Sequence, residues 1–177
     1  MKRIFLTAIA CLGFAGISFG QLFNEEASFY HIGLGVGSPY VYSGSSLTVP
    51  PIHGSFEIAV SDRIGVGGLI GYTASREKFG IGSRDWSYFI LGARGAYHFL
   101  EHEHFDAYGG LMLAYNIASS RFNLTDSNAK EPTAPTASGI FLGAFVGGRY
   151  QFNKKLGAFA ELGYNISWLS VGLSYRP

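Results

Sequence analysis

His53, Ser55 and Glu57 stand at every second position of one stretch of the chain. On an extended strand that spacing puts all three side chains on the same face. A serine, a histidine and a carboxylate are the ingredients of nucleophilic acyl transfer. A second group, His98, Glu101, His102, Glu103 and His104, brings imidazoles and carboxylates close enough together to suggest zinc or copper. The third set is dispersed: Glu57, Arg94, Arg149 and Glu161 are two acids and two bases lying in four separate segments. Each set also has a plain explanation. Polar filler inside a fold accounts for the first, a solvated turn for the second, and structural ion pairs for the third.

The elements that carry these residues decide among the readings. Eight segments alternate with period two: Phe29–Val36, Ile52–Val60, Ile64–Thr73, Trp86–Phe99, Phe105–Ser119, Ile140–Phe152, Leu156–Tyr164 and Trp168–Arg176. Each has the length of a tilted strand crossing a bilayer. Short polar turns (Ser61-Asp62-Arg63, Leu100–His104 and Asn153-Lys154-Lys155) alternate with long links (Gly37–Pro51, Ala74–Asp85 and Ser120–Gly139). The tight last link, Asn165–Ser167, breaks that trend. The Pro50-Pro51 pair and Pro132–Pro135 discourage extension of the neighbouring strands.

One face of every segment is apolar. Leu156, Ala158, Ala160, Leu162 and Tyr164 share a side, and Glu161 lies opposite. Phe89, Leu91, Ala93, Tyr97 and Phe99 share a side, with Arg94 and His98 opposite. Nine charged or histidine residues fall within the segments, and all fit the second face. A soluble barrel is wet outside and apolar inside; this alternation is inverted, as in a membrane barrel. Counted from the short-turn rim, Glu57, Arg94, Arg149 and Glu161 lie at similar depth, within about 7 Å at about 3.4 Å per residue. In a narrow lumen they are expected to form an ion-pair network that plugs the barrel. Inward Gly33, Gly35, Gly65, Gly67, Gly71, Gly143 and Gly147 would make room for them. Ring girdles are expected at both rims: Phe99, Phe105, Tyr150, Phe152 and Tyr175 by the short turns, and Tyr72, Trp86, Tyr115, Tyr164 and Trp168 by the loops.

Residues 1–20 read as a cleaved signal peptide, with Lys2 and Arg3 before the apolar Ile4–Ile17 and small residues before Gln21. Residues 21–177 then form one domain. Without the signal, 11 basic residues face 12 acidic ones, a net charge of −1 that offers no case for nucleic acid. The single cysteine, Cys11, lies in the signal, so disulfides and thiol chemistry are excluded from the mature chain. No glycine loop leads from a strand into a helix, so phosphate-cradling motifs are absent too.

The stretch Phe159-Ala160-Glu161-Leu162-Gly163-Tyr164, followed by Val171-Gly172-Leu173-Ser174-Tyr175-Arg176, is similar to the closing hairpin of the OmpA/OmpX-type family of outer-membrane β-barrel domains. The motif covers the last 20 residues and the architecture the whole mature chain. Pro177 stands where that family usually ends in an aromatic. A signal ending just before Gln21 looks like those of Bacteroidetes exported proteins. His53-x-Ser55 resembles the pair used by eight-stranded enzymes that deacylate lipid A, but on a different strand and facing inward. The resemblance implies an eight-stranded antiparallel up-and-down transmembrane β-barrel in the outer membrane. It further implies assembly by the barrel-assembly machinery and contact with outer-membrane lipid and lipopolysaccharide. The expected role is non-enzymatic, structural or surface-interacting through the long loops, by a monomer with no cofactor, no metal and no catalytic residue. A narrow channel, a lipid A-modifying enzyme and a soluble lipocalin-like binding barrel are the alternatives. The long loops carry Tyr40, Tyr42, Phe79, Arg121, Phe122 and Lys130 for such contacts.

Overall fold

The computed structural model describes residues 22–23, 27–41, 44–80, 82–124 and 138–177. The proposed signal peptide, Tyr42, Lys130 and the Pro132–Pro135 stretch lie outside them. Eight strands run in order: β1 Ser28–Val36, β2 Ser45–Ser61, β3 Ile64–Phe79, β4 Gly82–Glu101, β5 Phe105–Leu124, β6 Gly139–Gln151, β7 Leu156–Tyr164 and β8 Leu169–Tyr175. Each pairs antiparallel with the next, and β1 pairs with β8 to close the barrel. Closure leaves no open edge within the bilayer, so every backbone group at that level can be paired between strands.

The outward rungs explain the solvent this barrel needs. Across β3, β4 and β5 the registered triplets are Ile64–Tyr97–Gly109, Val66–Gly95–Leu111, Gly68–Ala93–Leu113, Ile70–Leu91–Tyr115 and Tyr72–Phe89–Ile117. No charged residue occurs among them. The eight steps from Ile64 to Tyr72 cover about 27 Å along a strand, or about 21 Å along the membrane normal at a tilt near 40°, close to the apolar band of about 25 Å on membrane barrels. The same face continues around the wall through Ile32, Leu142, Leu162 and Leu173, all exposed. A soluble protein would not present so continuous an apolar surface. The barrel is therefore a transmembrane one. The lipocalin-like alternative fails here, because its apolar residues would line the inside.

Short-turn chemistry is local. Asn153 Oδ1 accepts from the Lys155 and Leu156 amides, both at 2.9 Å. Ser61 Oγ accepts from the Ile64 amide at 3.1 Å. Asn165 Oδ1 accepts from the Ser167 amide at 3.1 Å, which lets the tight last link turn Ile166 into the lumen, where it is fully buried.

The loop side departs from the sequence reading. β2 begins at Ser45 and runs through Pro50-Pro51, and β3, β4 and β5 extend well past the expected ends. Pairing between β1 and β2 stops at Leu34–Ile52, so among the described residues 45–51 pair with β3 alone. The prolines sit at register shifts between Leu47, Val49 and Ile52. On an edge, at a bulge, a missing amide proton interrupts no ladder, so this proline pair does not end the strand. Beyond Asn116, β5 likewise pairs only with β4 among the described residues. The result is a sheet of β2 to β5 rising above the barrel on one side. Phe79, Arg121 and Phe122, expected in loops, lie on its strands.

Candidate functional site

All four residues expected to form the lumen network are buried inside the barrel: Glu57 on β2, Arg94 on β4, Arg149 on β6 and Glu161 on β7. The structure pairs only two of them with each other. Arg94 Nη2 donates to Glu161 Oε1 at 2.5 Å, and the Tyr108 hydroxyl donates to the same oxygen at 3.0 Å. The Arg94 guanidinium also lies 4.1 Å from the centre of the Phe145 ring. Glu57 and Arg149 instead meet through two residues that were not in the expected set. Glu57 Oε1 accepts from His98 Nε2 at 2.5 Å, His98 Nδ1 lies 2.8 Å from Asp106 Oδ1, and Arg149 Nη2 donates to Asp106 Oδ2. His98 and Asp106 had the inward phase of their strands as a signal. Their distance in sequence from the other charges hid the pairing.

Charge balance accounts for this cluster. Three carboxylates, Glu57, Asp106 and Glu161, face two guanidiniums and one imidazole ring. Both His98 nitrogens face carboxylates, and a protonated ring brings the count to three against three. The glycines make the space. A Cβ on Gly65 would lie 2.1 Å from Glu57 Oε1, and one on Gly147 would lie 2.7 Å from the Glu161 Cγ.

The charged layer is closed above and below. On the loop side, Tyr40, Trp86, Tyr88, Ile90, Met112 and Ile166 form an apolar cluster. On the short-turn side, Phe23 is fully buried and stacks on His98 with ring centres 3.6 Å apart, beside Phe29. Trp86 was expected in the loop-side girdle, and this is a correction. It shares the parity of Arg94 and faces inward, stacked with Tyr88. The other nine girdle rings are at least one-third exposed on the outer wall, with Tyr164 against Trp168 and Tyr150 against Phe152.

The remaining candidate sets are not assembled for chemistry. Ser55 Oγ contacts His31 Nδ1 at 3.4 Å, not His53. The other nitrogen of His31 accepts from Arg149 at 3.3 Å, so a guanidinium stands where a catalytic base would need an acid. His98 turns into the lumen, away from His102 and His104. Among the described residues no group of three or more His, Cys, Asp or Glu is placed to hold a metal.

A second polar arrangement lies on the loop-side sheet. On its outward face Arg76 grips Asp85 through Nε at 2.5 Å and Nη2 at 2.9 Å, and Asn123 donates to the same carboxylate at 3.0 Å. The Arg76 hydrogen bonds hold the Asp85 carboxyl below its ordinary pKa, with Asn123 and Arg121 adding to the effect. On the inward face Arg84 lies 4.1 Å from the centre of Phe122, near Glu77 and Trp86.

No protein-family model matches the chain, and no curated protein matches it in sequence. Solved structures match it in shape. The crystal structure of the outer membrane protein OprG from Pseudomonas aeruginosa is similar with a TM-score of 0.57 at 13% identity, over 89% of this chain and 99% of that one. A de novo designed transmembrane β-barrel is similar with a TM-score of 0.52 at 15% identity, over 87% of this chain and 98% of that one. These likenesses are of fold. The chain has the fold of small outer-membrane barrels, reached with little sequence in common.

Proposed function

We propose that this protein is a non-enzymatic outer-membrane barrel of the OmpA/OmpX type, working as a surface structure through its loop-side sheet rather than through its lumen. The observation that carries this reading is the filling of the interior. An aromatic and aliphatic layer, a charge-balanced layer and the Phe23–Phe29 layer follow one another down the barrel. An eight-stranded interior is just wide enough for side chains to fill, and here they fill it. That favours a structural core over a conducting path. The lack of an acid behind His31 favours a non-enzymatic role.

On this reading the export signal over residues 1–20, Bacteroidetes-like in ending just before Gln21, delivers the chain for insertion by the barrel-assembly machinery as a monomer. The rings at both rims then settle at the headgroup level of outer-membrane lipid and lipopolysaccharide. The deciding experiment is planar-bilayer recording on the refolded chain. The expected result is no unitary conductance. Reproducible single-channel steps would sink the reading and restore the channel alternative. Fractionation, with gel mobility compared before and after boiling, tests location: outer-membrane recovery and a heat-dependent shift are expected.

A further inference from the structure

The outward wall changes character abruptly above the Tyr72–Phe89–Ile117 rung. The next rung is Ala74–Ser87–Ser119, then Arg76–Asp85–Arg121, then Lys78–Ser83–Asn123. Three cations stand with one carboxylate, all projecting from the same face as the lipid-facing residues below. Asp85 has both oxygens engaged by Arg76 and Asn123. Among the described residues, Arg121 makes no side-chain hydrogen bond or close ion pair, and its position beside Asp85 leaves the rung cationic. Thr48, Ser87, Ser119 and Ser120 add hydroxyls to a groove of about 330 Å³ between Arg76 and Arg121.

Height identifies the occupant. The four steps from Tyr72 to Arg76 rise about 14 Å along a strand, or about 10 Å along the membrane normal at a tilt near 40°. The headgroup layer extends about 5–8 Å beyond the hydrocarbon on each side. Long arginine side chains bridge that difference by reaching back toward the membrane. The two arginines stand on strands either side of β4, about 10 Å apart at the usual strand spacing. Arginine forks suit phosphate oxygens, and serine hydroxyls suit phosphate and sugar oxygens.

We propose that this groove, with Arg76 and Arg121 as its walls, seats a phosphate of the lipid A headgroup of outer-leaflet lipopolysaccharide. The site rests on the outer-membrane reading above. Arg121 is the principal contact, because Arg76 is partly committed to Asp85. Ser87 and Ser119 line the floor toward the membrane.

The test uses the full chain in phosphatidylcholine nanodiscs containing diphosphoryl lipid A. Lipid retained per barrel after transfer to detergent is counted by mass spectrometry. The wild-type barrel is expected to retain lipid A. Arg121→Gln is expected to lower retention at least fivefold, and Arg76→Gln with Arg121→Gln to bring it to background. Dephosphorylated lipid A is expected to be retained no better than phosphatidylcholine. The heat-dependent gel shift confirms that each variant is folded, and Arg121→Gln breaks no hydrogen bond or close ion pair among the described residues. Equal retention by Arg121→Gln and wild type would overturn the site. So would equal retention of dephosphorylated lipid A, or arginine-dependent retention of phosphatidylglycerol to the same extent, which would assign the groove to phospholipid. A chain found in the outer membrane but retaining no lipid A loses only this site. A chain recovered as a soluble protein loses the outer-membrane reading as well.

Discussion

Two arginine–carboxylate pairs in this barrel have the same closest contact and opposite surroundings. Arg94–Glu161 closes at 2.5 Å with side chains 3% and 1% exposed. Arg76–Asp85 closes at 2.5 Å with side chains 45% and 34% exposed. Distance alone would rank them equal. In the lumen, each charge has left water and depends on its partner, so removing one member strands the other. On the loop-side sheet, water replaces a lost partner at almost no cost. The first pair is therefore part of what holds the wall together. The second is free to serve contacts outside the molecule.

The largest separation between the regions should come from Glu161→Ala. It leaves Arg94 without its carboxylate and Tyr108 without its acceptor, in a site buried from solvent. A loss of about 3–5 kcal/mol is expected from stranding a buried charge. Urea unfolding of the refolded barrel in lipid vesicles, followed by tryptophan fluorescence, reads it. An unchanged midpoint would mean that the lumen tolerates charge as the surface does. Replacing Arg94 and Glu161 together by methionine sharpens the point. The double variant should recover much of the loss, since two apolar chains of similar volume leave no charge unpaired and only the Tyr108 hydroxyl without its acceptor.

A smaller effect should follow from packing around the same charges. Gly65 faces inward, and a Cβ there would meet the Glu57 carboxylate at 2.1 Å. Gly65→Ala must push Glu57 away from His98, and about 1–3 kcal/mol is expected for such overpacking. Gly95 faces the lipid on the neighbouring strand, where a Cβ would meet only the Gly65 carbonyl, at 3.9 Å. Gly95→Ala should fall within about 0.5 kcal/mol of wild type. The pair of alanine variants separates lumen crowding from general effects of glycine in a strand. Equal losses at both positions would deny the lumen its special status.

These contrasts also show what could be read from sequence. Period-two alternation exposed all eight strands and the inside-out pattern, because a one-residue change of phase would have put Arg94, Arg149 or Glu161 into lipid. It gave the inward position of the four network residues for the same reason. Pairing was not legible. Which carboxylate meets which arginine depends on register across several strands, and His98 and Asp106 lie between Glu57 and Arg149 only once the barrel closes. Trp86 was misread by residue type, although its parity with Arg94 already placed it inside. The strand ends on the loop side were missed for a physical reason. Above the bilayer alternation no longer separates lipid from lumen, so Thr73–Phe79 and Ser119–Phe122 carry polar residues on both faces and resemble loop. Phe23 gave no signal, being one ring in a short stretch ahead of the first strand.

The smallest effect belongs to the exposed pair. Asp85 is held below its ordinary pKa mainly by the Arg76 hydrogen bonds. A carboxylate depressed in the folded state contributes stability above its unfolded pKa and loses it as pH falls through the folded value. Whatever Asp85 contributes is therefore present at pH 7 and disappears only below about pH 4, the ordinary carboxylate range. Exposure makes that contribution slight. Asp85→Asn is expected to shift the unfolding midpoint at pH 7 by no more than the error of measurement. Any small difference from wild type should vanish as the pH is lowered through the folded-state value. A midpoint loss at pH 7 as large as that of Glu161→Ala would break the comparison, because the loop-side pair would then be holding the barrel wall and would not be available to a ligand.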